Sequence, residues 1–224
     1  EMTSSLVGSE MCIRDSIQII KSGKFGFFIM LLILLPLCGN IDYVLGLWLV
    51  DVPAHTANFV VLVLLYSLLD GILTPIAIGV FAQGEIKAYE IALCIIYAVN
   101  FIASYVCLKL GMAPETVFVL NIAFKACVLA DLLVHSKAKY AFPVHAFLKQ
   151  CLLPSAVVFV LSGAFTYFMP WETPNSFWEF LLHTLAIIIC TSLMAFAIGM
   201  TKGERLFLKK NLRDKITVKL YRKI

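Results

Sequence analysis

Apolar residues in this chain run together instead of alternating with polar ones. Six stretches, roughly residues 25–48, 57–83, 87–110, 114–136, 150–170 and 177–200, carry very few charges. Each reaches the ~20 residues that a helix needs to cross ~30 Å of hydrocarbon. The pattern predicts an all-α, polytopic membrane protein, with six transmembrane helices forming one bundle over residues 17–200. The connections are short, and none is long enough to fold as a domain. The longest, residues 136–150, contains Pro143, and residues 140–150 read as a brief helix along the membrane surface.

Composition removes the soluble alternative. Apolar residues make up 61% of the chain and charged residues 14%, with a mean hydropathy of +0.93. Soluble domains lie near 45–50% and ~25%, and a chain this short cannot enclose so much apolar surface. The net charge of +4 is not a nucleic-acid signal, because residues 201–224 hold nine of the eighteen Lys and Arg residues. That segment reads as a basic cytoplasmic tail able to lie against anionic membrane lipid. At the other end, residues 1–16 show no periodicity and no signal-peptide layout. They read as translated sequencing adapter, a non-native segment to be excluded from the fold, with the native N-terminus lying upstream.

Charge sets the expected orientation. Basic residues on alternate sides of the six spans count 2, 1, 3 and 9 against 0, 1 and 0, leaving out Arg14 and the intramembrane Lys125. Lys21 and Lys24 supply the first two, just before the first span. By the positive-inside rule both ends face the cytoplasm. Trp48, Trp171 and Trp178 then fall on the opposite side, where an interfacial aromatic belt belongs. The cysteines in or beside the spans form no CxxC and no Cys/His cluster with metal-ligand spacing. They read as small apolar filler at helix contacts.

The candidate chemistry lies in the polar residues at depth. Asp70 sits near the middle of the second span and Lys125 near the middle of the fourth. A charge there costs ~2.5–3.5 kcal/mol on insertion scales, so it faces the bundle interior or a water-filled cavity and finds a partner. Matching depth and opposite sign predict a direct or water-bridged pair. Such a pair either locks helices together or lines a cavity that handles ions or an anionic substrate. Asn121 lies one turn before Lys125, and Tyr66 and Thr74 share the face of Asp70. Asn100 is near midplane in the third span and His183 lies in the sixth, both suited to interhelical hydrogen bonds. Gly71 and Pro75 follow Asp70 and predict a pliable kink, since proline removes a helix hydrogen bond.

Several short motifs occur in an order that resembles the C-terminal half of bacterial polysaccharide flippases. They are Ser22-Gly-Lys24, Leu47-Trp48-Leu49 with Val52-Pro53, Pro75, and Ala82-Gln-Gly-Glu-Ile-Lys-Ala-Tyr89. Ser104-Tyr105, Leu108-Lys-Leu-Gly111, Val117-Phe118 and the closing Gly203-Glu204-Arg205 continue the series. These flippases are the lipopolysaccharide or capsule repeat-unit exporters of the multidrug/oligosaccharidyl-lipid/polysaccharide exporter superfamily. The resemblance spans about residues 17–212. Gly84-Glu85, where relatives commonly carry a Thr-Gly-Lys-like turn, and Lys125 depart from the pattern.

The resemblance implies one lobe of a two-lobe, MATE-like transporter, its N-terminal lobe being the missing partner. It implies flipping of undecaprenyl-pyrophosphate-linked oligosaccharide across a bacterial inner membrane by alternating access, without cofactor or covalent chemistry. On that reading Lys125 attracts the anionic cargo and Asp70 is a protonation or cation site. Other exporters of the superfamily, a drug/cation antiporter or a lipid II flippase, remain as alternatives. A membrane-embedded polymerase or acyltransferase would need convergent acid/base residues. Asp51, His55, Glu115, Glu172 and Glu179 on the non-cytoplasmic side are scattered in sequence.

Overall fold

The computed structural model describes residues 2–82, 84, 86–168, 174, 176–201 and 203–206, with side chains from residue 15 onward and without those of residues 139 and 140. Gln83, Glu85, Trp171, Glu172 and the tail from residue 207 lie outside the described residues. The helices run in the order α1 (Met2–Gly39), α2 (Ile41–Trp48), α3 (Thr56–Ala82), α4 (Ile86–Lys109), α5 (Glu115–Tyr140), α6 (Val144–Phe147), α7 (Leu153–Phe168) and α8 (Phe177–Met194) among the described residues. A π-helical turn, Leu148–Leu152, joins α6 to α7, and a second, Ala195–Gly199, extends α8. No strand occurs among the described residues. Among the described residues six segments are long and apolar enough to cross a membrane. The protein is an all-α polytopic membrane bundle.

The expected spans hold in number and shift in place. The first crosses as Asp15–Gly39 and not as residues 25–48. Helix α1 begins at Met2, so helical backbone runs through the segment expected to lie outside the fold. The chain breaks at Asn40, whose side-chain amide donates to the Pro36 carbonyl at 3.0 Å. Residues 41–48 form the separate α2, with Trp48 exposed. The fifth span is longer than expected. Residues 144–152 are continuous with α7, giving Val144–Phe168. Phe142 and Phe147 are buried against the core, which ties this region into the bundle instead of laying it on the surface.

Helix α1 is the spine. It packs on α3, α7, α8 and the first π-helical turn, while α4 is carried by α5 at the periphery. The α1–α3 crossing rests on small residues. A Cβ added at Gly26 would stand 3.1 Å from the Gly71 carbonyl oxygen, and one at Gly71 would stand 3.3 Å from the Phe27 nitrogen. Backbones meet closely here because nothing projects between them, the usual route to helix association where the hydrophobic effect gives no drive. Gly71 therefore serves a backbone contact with α1. Helix α3 continues unbroken through Pro75. Gly199 likewise leaves room for the Phe28 ring of α1. Of the described cysteines only Cys151 is buried; Cys94 and Cys127 are exposed, so the filler reading fails for those two.

A polar latch closes the spine onto the end of the last helix. Thr201 and Glu204 form a capping-box half, the Thr201 N–H donating to Glu204 Oε2 at 2.8 Å. The same oxygen accepts from Lys24 Nζ at 2.5 Å, with the lysine side chain fully buried. Arg205 donates to the carbonyls of Ala197 and Met200, satisfying acceptors that the helix end leaves open. Lys24 is thus inside the first span, paired, and not a flanking surface charge. The motifs Ser22-Gly-Lys24 and Gly203-Glu204-Arg205, far apart in sequence, meet here.

The latch carries a pH dependence. Burial pushes the Glu204 carboxyl up, but the hydrogen bond from Lys24 and the Thr201 N–H outweigh it, and the net shift is downward. A depressed folded value means stability that is complete above the ordinary carboxyl value of 4.5 and is lost as acid carries the pH below it. Glu204→Gln should cost roughly 3–5 kcal/mol at neutral pH, because the buried ammonium loses its charged partner. That gap should narrow as the pH falls below 4.5 in denaturant unfolding of the detergent-solubilised protein. A gap that is constant with pH would exclude the latch as its source.

Candidate functional site at the bundle midplane

Helices α3 and α5 bring Tyr66 and Asp70 together about one cation, Lys125. Lys125 Nζ lies 2.6 Å from Asp70 Oδ1 and donates to the Tyr66 hydroxyl at 2.9 Å. It also stands 4.3 Å from the centre of the Tyr66 ring, within cation–π range. Tyr66 and Asp70 are four residues apart on α3, so one helical turn presents both to the same point. The direct pairing of Asp70 with Lys125 matches one of the two forms expected from depth and charge.

The pair is lopsided. The Lys125 side chain is 8% exposed and that of Asp70 is 46% exposed. The ammonium is held within the bundle, and the carboxylate opens on its flank. One Asp70 oxygen is engaged by the cation while the group as a whole stays reachable from outside. Thr74, one turn further along α3, is exposed on the same flank and is not drawn into the cluster.

A second polar contact lies one turn along α5. Asn100 of α4 donates from Nδ2 to Asn121 Oδ1 at 2.6 Å, and the Ser104 hydroxyl approaches Asn100 Oδ1 at 3.4 Å. Asn100 is buried and Asn121 half-buried. This is an interhelical bond between neutral amides, and it pins α4 to α5. Asn121 and Lys125 share a face, so α5 links the amide contact to the ion pair. In the sequence Ser104 stands out only within the Ser104-Tyr105 motif. Its place one turn after Asn100 was the available signal.

Two further clusters lie at the opposite end of the bundle from the latch. His55 Nδ1 contacts Glu115 Oε1, which also accepts from Asn58 Nδ2 at 3.2 Å. These join the starts of α3 and α5, so His55 and Glu115, scattered in sequence, are neighbours in space. His183 lines a cavity of about 350 Å³ with Asn40 and Thr166. Asp131, near the far end of α5, stands 3.7 Å from His135. Among the described residues no three His, Cys, Asp or Glu side chains are placed to share a metal ion.

The lopsided burial makes the two halves of the midplane pair unequal. Asp70→Asn strands a buried ammonium, whereas Lys125→Met leaves a carboxylate that can take up water or a proton. Unfolding measurements should show Asp70→Asn costing about 3–5 kcal/mol and Lys125→Met distinctly less. The double variant should recover most of the loss of Asp70→Asn. Equal losses, or no recovery, would contradict the assignment of Lys125 as the buried partner.

Comparison with protein-family models, with curated proteins and with solved structures finds no match for this chain.

Proposed function

We propose that this chain is one lobe of an exporter that flips a lipid-linked oligosaccharide repeat unit across a bacterial inner membrane, for assembly of a surface polysaccharide. The N-terminal side of the lobe and the C-terminus would face the cytoplasm, as the basic residues indicate. A second, MATE-like lobe would cover the flank on which Asp70 opens, enclosing a hydrated cavity between the two. The observation that carries this reading is the midplane pair itself, a buried cation whose counterion is half exposed. A charge pair needed only to lock helices has no reason to open one partner outward. The order of motifs over residues 17–212 supports the same class.

A coupling mechanism for the proposal can be built on this pair. An anionic cargo would compete with Asp70 for the charge of Lys125. A pyrophosphate arriving from the open flank would displace the Asp70 carboxylate from the ammonium. The displaced carboxylate, left near midplane without its counterion, would take up a proton or a cation. Release of cargo on the far side would return Asp70 to Lys125 and expel that ion. Tyr66, also bonded to Lys125, keeps the ammonium in place through the exchange. Asn100 and Asn121 hold the cavity wall.

The test is translocation of a fluorescent lipid-linked oligosaccharide in vesicles containing the product of the complete coding sequence. The wild type should move the lipid between leaflets. Lys125→Gln and Asp70→Asn should each lower the rate at least tenfold while inserting normally, with Cys94→Ser as an unaffected control. Unchanged rates in both charge variants, or an inserted wild-type protein that moves no lipid, would overturn the proposal.

A further inference from the structure

The outer face of the fifth span carries a trough that the ion pair does not explain. Near its start, His145 and Lys149 stand exposed at one end of an open groove of about 630 Å³, floored by Leu148, Leu153 and the π-helical turn. Among the described residues neither His145 nor Lys149 has an ion-pair partner. Leu152 and Ala156 line this groove and also a second, apolar cleft of about 240 Å³. That cleft is bounded by Leu65 of α3, Ile122 of α5 and Phe159 of α7. The two spaces adjoin through Leu152 and Ala156, with Lys149 and His145 beside the first and hydrocarbon side chains around the second; we treat them as one track. Ser155, 1% exposed, lines the cleft, and its hydroxyl has no hydrogen-bond partner among the described residues.

The track has the length of one leaflet. Lys149 and Phe159 are ten residues apart, about 15 Å at ~1.5 Å per residue. Half of a ~30 Å hydrocarbon core is also about 15 Å. A lysine near a helix end extends its ammonium to the headgroup level. We infer that this track binds one phospholipid with an anionic headgroup, its phosphate against Lys149 and His145 and one acyl chain laid along Ala156 into the cleft. Charge selects the headgroup, and the walls, apolar but for Ser155, accept the chain. A π-helical turn, Leu148–Leu152, lines the groove, and such turns recur at functional sites. The site depends on the membrane location of the bundle and not on the transport reading.

Native mass spectrometry of the purified full chain, titrated with phosphatidylglycerol and with phosphatidylcholine, tests the site. The wild type should retain one tightly held phosphatidylglycerol in preference to phosphatidylcholine. Lys149→Gln should weaken phosphatidylglycerol about fivefold, the effect of one basic residue at an anionic surface, and leave phosphatidylcholine unchanged. Ala156→Trp should plug the track and weaken both lipids. Leu153→Trp, at a position 62% exposed, serves if the first plug does not fold. Equal retention of the two lipids by the wild type would overturn the inference. So would a Lys149→Gln protein with undiminished preference, which would place the anionic lipid on the basic tail.

Discussion

A lysine ammonium buried within a helix bundle costs several kilocalories unless it is met by an acceptor, and this bundle holds two such lysines. Lys24 is met by Glu204 and Lys125 by Asp70 and Tyr66. These obligations determine much of the architecture. The first fastens the spine helix to the segment beyond the last span. The second fastens α3 to α5 at midplane. Between them, α1 and α3 approach through Gly26 and Gly71, where the backbones themselves are the contact. Apolar packing fills the remaining space but does not choose the register; a charge that must meet its partner does.

The two pairs differ in how they are closed. Glu204 is 9% exposed and belongs to a compact cap of Thr201 and Arg205, so the pair has little freedom. Asp70 is 46% exposed, and its cation is anchored independently by Tyr66. A closed pair suits a structural latch. An open pair with an anchored cation suits exchange of one anion for another. That contrast, within a single chain and between the same residue types, is the physical ground for treating the midplane site as functional and the latch as architectural.

Much of this was legible in the sequence because the bilayer imposes a length and a charge penalty that no soluble context shares. Six runs of about twenty apolar residues could only be spans, and Asp70 and Lys125 at one depth could hardly remain apart. Asn100 and Asn121 were visible as midplane amides, though their mutual bond was not. What escaped was anything set by contact across the chain. Lys24 looked like a flanking charge because Glu204 is 180 residues away. His55 and Glu115 looked scattered because the starts of α3 and α5 meet only after folding. Gly71 looked like a hinge because its partner backbone, at Gly26, leaves no mark on the local sequence. The first span was placed ten residues late because Lys21 and Lys24 read as its border, and the π-helical turn has no sequence signature.

The central claim is that the flank bearing Asp70 faces water and not lipid. Thr74 lies on that flank, exposed and outside the ion pair, so it can report without disturbing the site. The direct measurement is the reaction of a Thr74→Cys variant, in a cysteine-free background of the complete protein in membranes, with a charged thiol reagent that cannot enter hydrocarbon. The account predicts modification at a rate near that of a cysteine placed at Val50, which is fully exposed in a loop. A Thr74→Cys protein that stays unmodified while the Val50 reporter reacts would put the flank in lipid and contradict the account.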